Sequence, residues 1–190
     1  MRPQKVDTEA MLQGLMSVLR SRGYDGASLK ELSAATGLKK ASLYHRFPGG
    51  KQEMAAAVLA HVGEWTQQHI YRLLTDRELP PTQRLEQALQ NIDELYVGGD
   101  VSCVFRALST EIGLDLFGEQ LRQGMQAWIQ AFAALGEGFG QGKEEAYANG
   151  LQSIIDIQGT LVVGKCLGDT SIFQRMTEQI RQRYLLSEKS

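Results

Sequence analysis

Between Ser28 and Lys51 the chain reads SLKELSAATGLKKASLYHRFPGGK, a pattern that admits few backbone paths. Ser28 precedes an amphipathic run and Glu31 follows three residues later, which is the spacing of a reciprocal capping box. Leu29, Leu32, Ala34 and Ala35 then recur at helical spacing. Gly37 suits the left-handed conformation just beyond a helix end. A second short helix is predicted over Lys40–Phe47, halted by Pro48. Leu43 and Phe47, four residues apart, should face inward, with Leu38 closing the turn. Two short helices joined by a tight turn containing glycine form a helix-turn-helix.

The outward face of the second helix carries Lys39, Lys40, Ala41, Ser42, Tyr44, His45 and Arg46. A polar outer face is commonly just solvated. This one holds three cations, no acid, and a tyrosine beside a histidine, which points to DNA. The first residues of such a helix meet base edges in the major groove. A lysine can donate to guanine N7 and O6, and an alanine methyl can meet a thymine methyl. Lys51 stands at the start of the next helix, where a cation opposes the helix dipole. Gly49 and Gly50 open that terminus as an anion site, so a phosphate there would reconcile the two; a merely solvated Lys51 is the alternative.

Preceded by the Gly23-Tyr24-Asp25-Gly26 turn and followed by FPGGKQEM, this stretch resembles the DNA-binding domain of TetR-family transcriptional regulators. The Pro48–Lys51 link resembles the subgroup that includes the YxaF and LmrA repressors. The motif resemblance covers about residues 7–62; beyond that it rests on length and helical pattern. It implies that Tyr44 contacts phosphate and that His45 and Arg46 lie near the DNA backbone. Ala41 stands where the family often has glycine. The candidate DNA-binding residues are thus Ser28, Lys39, Lys40, Ala41, Ser42, Tyr44, His45, Arg46 and Lys51.

Composition is compatible with this reading. The chain has 190 residues, 43% hydrophobic and 22% charged, as in ordinary globular proteins. No apolar run approaches the roughly 20 residues needed to span a bilayer, and no signal-peptide pattern opens the chain. No membrane association and a cytoplasmic location are expected. Cys103 and Cys166 lack metal-ligand spacing, and two buried thiols are the default expectation. Net charge is −2, yet residues 1–54 hold nine Lys/Arg against five Asp/Glu. A basic reader on an acidic remainder suits site-specific binding without general adhesion to nucleic acid.

The expected architecture is all-α, with about nine helices. A three-helix helix-turn-helix domain occupies residues 1–50, and a larger ligand-binding and dimerisation domain occupies 51–190. Arg2 and Lys5 lie in an N-terminal arm within reach of a phosphate. Asp7 or Thr8 caps a first helix running to about Arg22. A long helix from Lys51 to about Thr75 carries a stripe of Met54, Val58, Val62, Trp65, His69 and Leu73. Pro80-Pro81 breaks the chain before an amphipathic helix over Thr82–Val97. Further helices are expected over Ser102–Glu111, Asp115–Leu135, Lys143–Leu167 and Thr170–Leu185.

Trp65, His69, Tyr96, Phe105, Trp128 and Phe132 are candidate ligand-binding residues, with Phe117 and Met125 nearby; such a stripe is also ordinary core. His69, Gln126 and Gln158 are polar groups on apolar faces that would orient a ligand or pair with one another. The acidic balance of residues 55–190 favours a neutral or cationic aromatic effector over a strongly anionic one. The helix over 143–167 is apolar nearly all round. Residues 143–185 are therefore expected to form a homodimer interface resembling the family's, and a dimer reads a palindromic operator. No catalytic residues, cofactor or metal ligands are expected: His45, His61 and His69 form no metal set, and no nucleophile motif appears. The sequence thus predicts a DNA-binding regulator, a repressor released by a small hydrophobic or aromatic ligand. The alternative is one controlled by a protein partner without a small-molecule effector.

Overall fold

The computed structural model describes residues 7–186; Arg2 and Lys5 of the expected arm lie outside them. Every regular element among the described residues is helical. The elements are α1 (Thr8–Gly26), α2 (Leu29–Thr36), α3 (Lys40–Arg46), α4 (Gly50–Thr66), a π-helical turn (Gln67–Tyr71), α5 (Arg72–Thr75), α6 (Pro81–Tyr96), a 3-10 turn (Val97–Gly99), α7 (Val104–Leu108), α8 (Glu111–Gly138), α9 (Lys143–Leu167) and α10 (Ser171–Leu186). Because α4, the π turn and α5 are continuous, these make nine helices among the described residues, as expected. None is long and apolar enough to cross a membrane.

The chain divides into two compact units interleaved in sequence. The first takes the described residues up to Gly63 together with Val104–Leu121. The second takes Glu64–Cys103 and the described residues from Arg122 onward. The chain thus changes unit three times: inside α4, at the start of α7 and inside α8.

In the first unit, Asp7 caps α1 by accepting from the Ala10 N–H at 3.4 Å. The helix breaks at Gly23 rather than ending at Arg22, which turns Tyr24 into the interior. There the Tyr24 ring meets Phe117 of α8 edge-on, with centroids 5.5 Å apart. Leu15, Leu19, Leu32, Leu43, Met54, Val58 and Leu108 fill the core. α7 is shorter than expected, and α8 begins at Glu111 rather than Asp115, with the Gly113 N–H donating to Thr110 Oγ1 at 3.2 Å.

In the second unit, the π turn changes which face is buried. The interior positions are Thr66, Ile70, Tyr71 and Leu74, not the expected Trp65, His69 and Leu73. A π turn accommodates an extra residue, so a stripe extrapolated at 3.6 per turn falls out of phase past it. α6 starts with Pro81 at its first position, where a missing N–H costs nothing. Its buried face is Leu85, Ala88, Leu89, Ile92 and Tyr96, as the amphipathic pattern requires.

A row of aromatic rings runs through this unit. Tyr71 meets Trp128 edge-on at 5.5 Å, Trp128 stacks on Phe132 at 6.3 Å, and Phe132 stacks on Tyr184 at 6.1 Å. The Tyr184 hydroxyl donates to the Phe132 carbonyl at 3.3 Å. Burial raises the Tyr184 phenol to about 12, although a hydrogen bond with Ser153 opposes the rise. Arg84 is buried and donates to the Leu74 carbonyl at 3.0 Å, closing the C-terminal end of α5. Burial depresses its pKa, with Asp76 opposing.

α9 spans the bounds expected for it and presents two faces. Ile154, Ile157 and Leu161 are buried, whereas Leu151, Ile155, Val162 and Val163 are exposed. α10 is pinned to α9 by Arg183 on Asp156 at 2.5 Å and to α6 by Arg181 on Glu86 at 2.6 Å. The two thiols differ: Cys103 is buried, but Cys166 is exposed on the outer side of α9, correcting the expectation of two buried cysteines.

Candidate nucleic-acid interface

The reader is assembled by local hydrogen bonds. Glu31 N–H donates to Ser28 Oγ at 3.2 Å, and Ser28 N–H donates back to Glu31 Oε2 at 3.1 Å. The Ser28 hydroxyl also donates to Glu31 Oε2 at 2.8 Å. These bonds hold the Glu31 carboxyl below the usual range, with Arg22 contributing. Gly37 ends α2 at φ +66°, a conformation that side chains with a Cβ resist. Ala34 and Ala35 are exposed; the buried group at this end is Thr36, whose hydroxyl bonds back to the Leu32 carbonyl at 2.9 Å. Ser33 Oγ donates to the Leu38 carbonyl, fixing the turn into α3.

α3 has one buried residue, Leu43, and Phe47 closes it from beyond its end. Lys39, Lys40, Ala41, Ser42, Tyr44, His45 and Arg46 are all exposed. Lys39 and the short helix after it thus present these seven side chains without an acid among them. Arg46 leans back on α1, with Nη1 3.4 Å from Met11 Sδ. Tyr44 is 45% exposed, and its ring passes over Gly50, where an added Cβ would lie 3.4 Å from the ring edge. Gly50 is buried at φ +67°, a second position where glycine relieves backbone strain.

Lys51 departs from expectation. Its ammonium turns inward, donating to the Tyr24 carbonyl at 2.9 Å and the Ala27 carbonyl at 3.3 Å. It also lies 4.5 Å from the centroid of the Tyr24 ring. The Gly49 N–H, just before α4, is also bonded: it donates to Glu53 Oε2 at 2.7 Å. Glu53 was absent from the sequence-derived set. The Gly49–Glu53 spacing of four was the available signal, as a carboxylate one turn into a helix can reach back to its first amides.

The candidate ligand residues fall in both units. Phe105 and Phe117 belong to the first unit and the other four aromatics to the second. Trp65 is half-buried and His69 is exposed; their rings stack at 4.5 Å, and His69 Nδ1 lies 2.9 Å from the Trp65 carbonyl. His69 lies within the π turn and off the buried stripe, whereas Trp65 precedes that turn, beside the buried Thr66. Trp128 and Phe132 sit in the packed aromatic row. Tyr96 is buried, its hydroxyl 3.5 Å from Cys103 Sγ and accepting from Gln158 Nε2 at 3.5 Å. Gln126 is exposed, so of the three embedded polar groups only Gln158 faces inward in part. An open groove of about 360 Å³ lies between α6 and α10, lined by Glu86, Gln90, Asp93, Thr177 and Arg181 among others, and holds none of the predicted residues.

Residues 12–58 match the family model for bacterial regulatory proteins of the tetR family. Among curated proteins, the chain is 27% identical over 117 residues to the transcriptional repressor DhaR of Mycobacterium sp. (strain GP1), covering 60% of this chain and 58% of that one. It is 32% identical over 62 residues to the regulator LmrA of Bacillus subtilis, a third of each chain. It is 27% identical over 78 residues to the uncharacterised regulator YxaF of the same species, covering 41% of this chain and 40% of that one. The matched stretches therefore span less than two thirds of those relatives' own lengths. The fold is shared more widely. A TetR regulator from Legionella pneumophila superposes with a TM-score of 0.80 at 18% identity, over 96% of this chain and 98% of that one. A cysteine-substituted CifR bound to a 26-base-pair operator gives 0.73 at 21% identity, over 95% and 98%. With its capping box, its glycine turn and its short exposed α3, the stretch over residues 12–58 matches the DNA-binding domain of the tetR family of bacterial regulatory proteins, and these likenesses support a TetR-family regulator.

Proposed function

We propose that this chain is a sequence-specific DNA-binding transcriptional regulator acting as a homodimer, a repressor released from its operator by a small hydrophobic or aromatic ligand. One observation carries the DNA reading. Lys39 and the seven-residue helix that follows it bury Leu43 alone and expose three cations, a tyrosine and a histidine with no acid among them. Lys39, Lys40, Ala41 and Ser42 read base edges, while Tyr44, His45 and Arg46 address the backbone. Ser28 is at most a hydroxyl at the edge of that surface, since Glu31 already holds it. CifR, of similar fold, is bound to operator DNA, and DhaR is a repressor; both support the reading by likeness.

The dimer reading rests on α9. Tyr147, Leu151, Ile155, Val163 and Leu167 are exposed at four-residue spacing, with Gly159 completing the series. A monomer has little reason to present such an apolar stripe, and a second copy of 143–185 covers it. Two readers related by a two-fold axis suit a palindromic operator. The ligand acts in the second unit by favouring one of two dimer geometries. The aromatic row from Tyr71 to Tyr184 supplies the apolar contacts such a ligand needs.

Tiled duplexes from the DNA flanking its own gene, run in a gel shift, test the first claim: one tile should be retained in preference to the others. Equal retention of all tiles, or of none, refutes sequence-specific binding. A thermal-shift screen with hydrophobic compounds tests the second, because a ligand that binds only the folded state raises Tm by mass action. A protein partner becomes the better reading if no compound raises Tm while DNA binding is intact.

A further inference from the structure

We propose that Ser33 and Thr36 are positioning residues for base reading: their hydroxyls hold both backbone groups of Leu38 and so set the direction in which residues 39–42 leave the turn. The inference deepens the DNA-binding reading and rests on it. α3 is too short to hold its own course. Its seven residues make about two turns, well short of the roughly 12–15 below which an isolated helix is marginal in water. Lys39 at its start supplies no side-chain cap. Its starting direction is therefore imposed by the residues before it.

Leu38 lies between the left-handed Gly37 and the first turn of α3. Its N–H donates to Thr36 Oγ1 at 3.3 Å, and its carbonyl accepts from Ser33 Oγ. A serine inside a helix ordinarily bonds back to a carbonyl one turn earlier. Ser33 instead reaches five residues forward, across the turn. The Thr36 hydroxyl donates to the Leu32 carbonyl at 2.9 Å while accepting from Leu38, so both of its roles are used. Both clasps come from α2, whose end has no room to shift toward α1: a Cβ on Gly14 would lie 2.5 Å from the Ala35 carbonyl oxygen and 3.3 Å from Thr36 Cα. Constraint thus runs from α1 through the last turn of α2 to Leu38, and on to the base-reading residues. Base edges demand a narrow donor geometry, whereas phosphate contacts raise affinity for every sequence alike. Loosening Leu38 should therefore cost discrimination before it costs general attraction.

The test uses the full chain, the duplex it retains from the DNA flanking its own gene, and single-base variants of that duplex, across a salt series. Thr36→Val keeps the shape of the side chain and deletes the hydroxyl; Ser33→Ala deletes the other. One mismatch should cost wild type about 5- to 150-fold in affinity, and each substitution should shrink that ratio by about threefold or more at the base pairs read by residues 39–42. The slope of log affinity against log salt should stay as in wild type, because no phosphate contact is removed. Thr36→Ser restores the hydroxyl without the buried methyl group, so it should recover discrimination even where it does not recover Tm. A uniform loss with the ranking of duplexes intact, or a ranking that Thr36→Ser leaves as flat as Thr36→Val does, shows a purely structural role and overturns the proposal. Hydrogen exchange at the Leu38 amide, measured without DNA, separates the clasp from the DNA reading. Wild type and Thr36→Ser should protect that amide and Thr36→Val should not; equal protection in all three overturns the proposal whatever the chain binds. A wild type that binds every duplex alike defeats the DNA reading itself, and base positioning with it.

Discussion

Lys51 reaches from the first turn of α4 to Tyr24, donating to its carbonyl at 2.9 Å while lying 4.5 Å from the centroid of its ring. One side chain thus satisfies two carbonyls at the α1–α2 junction and covers an aromatic face. Lys51→Met removes both hydrogen bonds and the cation–π contact while keeping most of the stem. Expected is a loss of about 1–3 kcal/mol in urea unfolding of the full chain, since hydrogen bonds to charged groups contribute about that much. A loss within the noise would show the ammonium to be as well served by water.

The pair of Arg183 and Asp156 is a different case. Its side chains are 22% and 19% exposed, and Arg183 also donates to Ser153 Oγ at 3.2 Å. Removing one partner strands the other in a partly dry site. Asp156→Asn and Arg183→Met should each cost about 1–3 kcal/mol, below the range for fully buried pairs because solvent screens part of it. The double variant should lose less than the sum, as coupled neighbours do. Full additivity would show that the two side chains act independently.

Tyr184 sets a limit on alkaline stability. Burial raises its folded-state pKa to about 12, and burial raises Tyr71 as well. A group raised on folding contributes its full stability below the unfolded value, here about 10. That contribution is lost as pH rises through the folded value. Stability should therefore fall between about pH 10 and 12, and Tyr184→Phe should flatten the decline. Absorbance of tyrosinate checks this: two of the tyrosines should ionise only with unfolding.

The exposed stripe on α9 gives the simplest oligomer prediction. Ile155 is 52% exposed and sits midway between Tyr147 and Val163. Ile155→Glu should leave the fold intact, as the side chain already faces solvent, and move the sedimenting species from dimer to monomer at micromolar concentration. An unchanged dimer would place the interface elsewhere.

The parts of this architecture legible in the sequence are those set by local chemistry. The Ser28–Glu31 capping box, the Gly37 stop and the Leu43–Phe47 pair rest on interactions within a few residues, and each stands in the structure as read. α9 begins and ends as expected, with Gly142 before it and a left-handed Gly168 after it. Readings that relied on extrapolated period fared worse. The π turn at Gln67–Tyr71 carries no distinct composition, so His69 was read as inward when it is exposed. The inward turn of the Lys51 ammonium escapes the sequence for a different reason: its partners are backbone carbonyls 24 and 27 residues away, and no side-chain pattern announces them. Phe105 and Phe117 belong to a stretch that returns to the first unit after an excursion of forty residues, which no local pattern announces.

Whether the exposed face of α3 reads base sequence is tested most directly by equilibrium binding of the full chain to its retained duplex and to single-base variants of it. Wild type should discriminate among them, with each mismatch costing about 1–3 kcal/mol. Tyr44→Phe should weaken every duplex by a similar factor and preserve the ranking, whereas Lys40→Ala should flatten the ranking at one base pair in each half-site. Equal loss from both substitutions across the whole set, with the ranking intact in each, would contradict the division of α3 into a base-reading start and a phosphate-anchoring end.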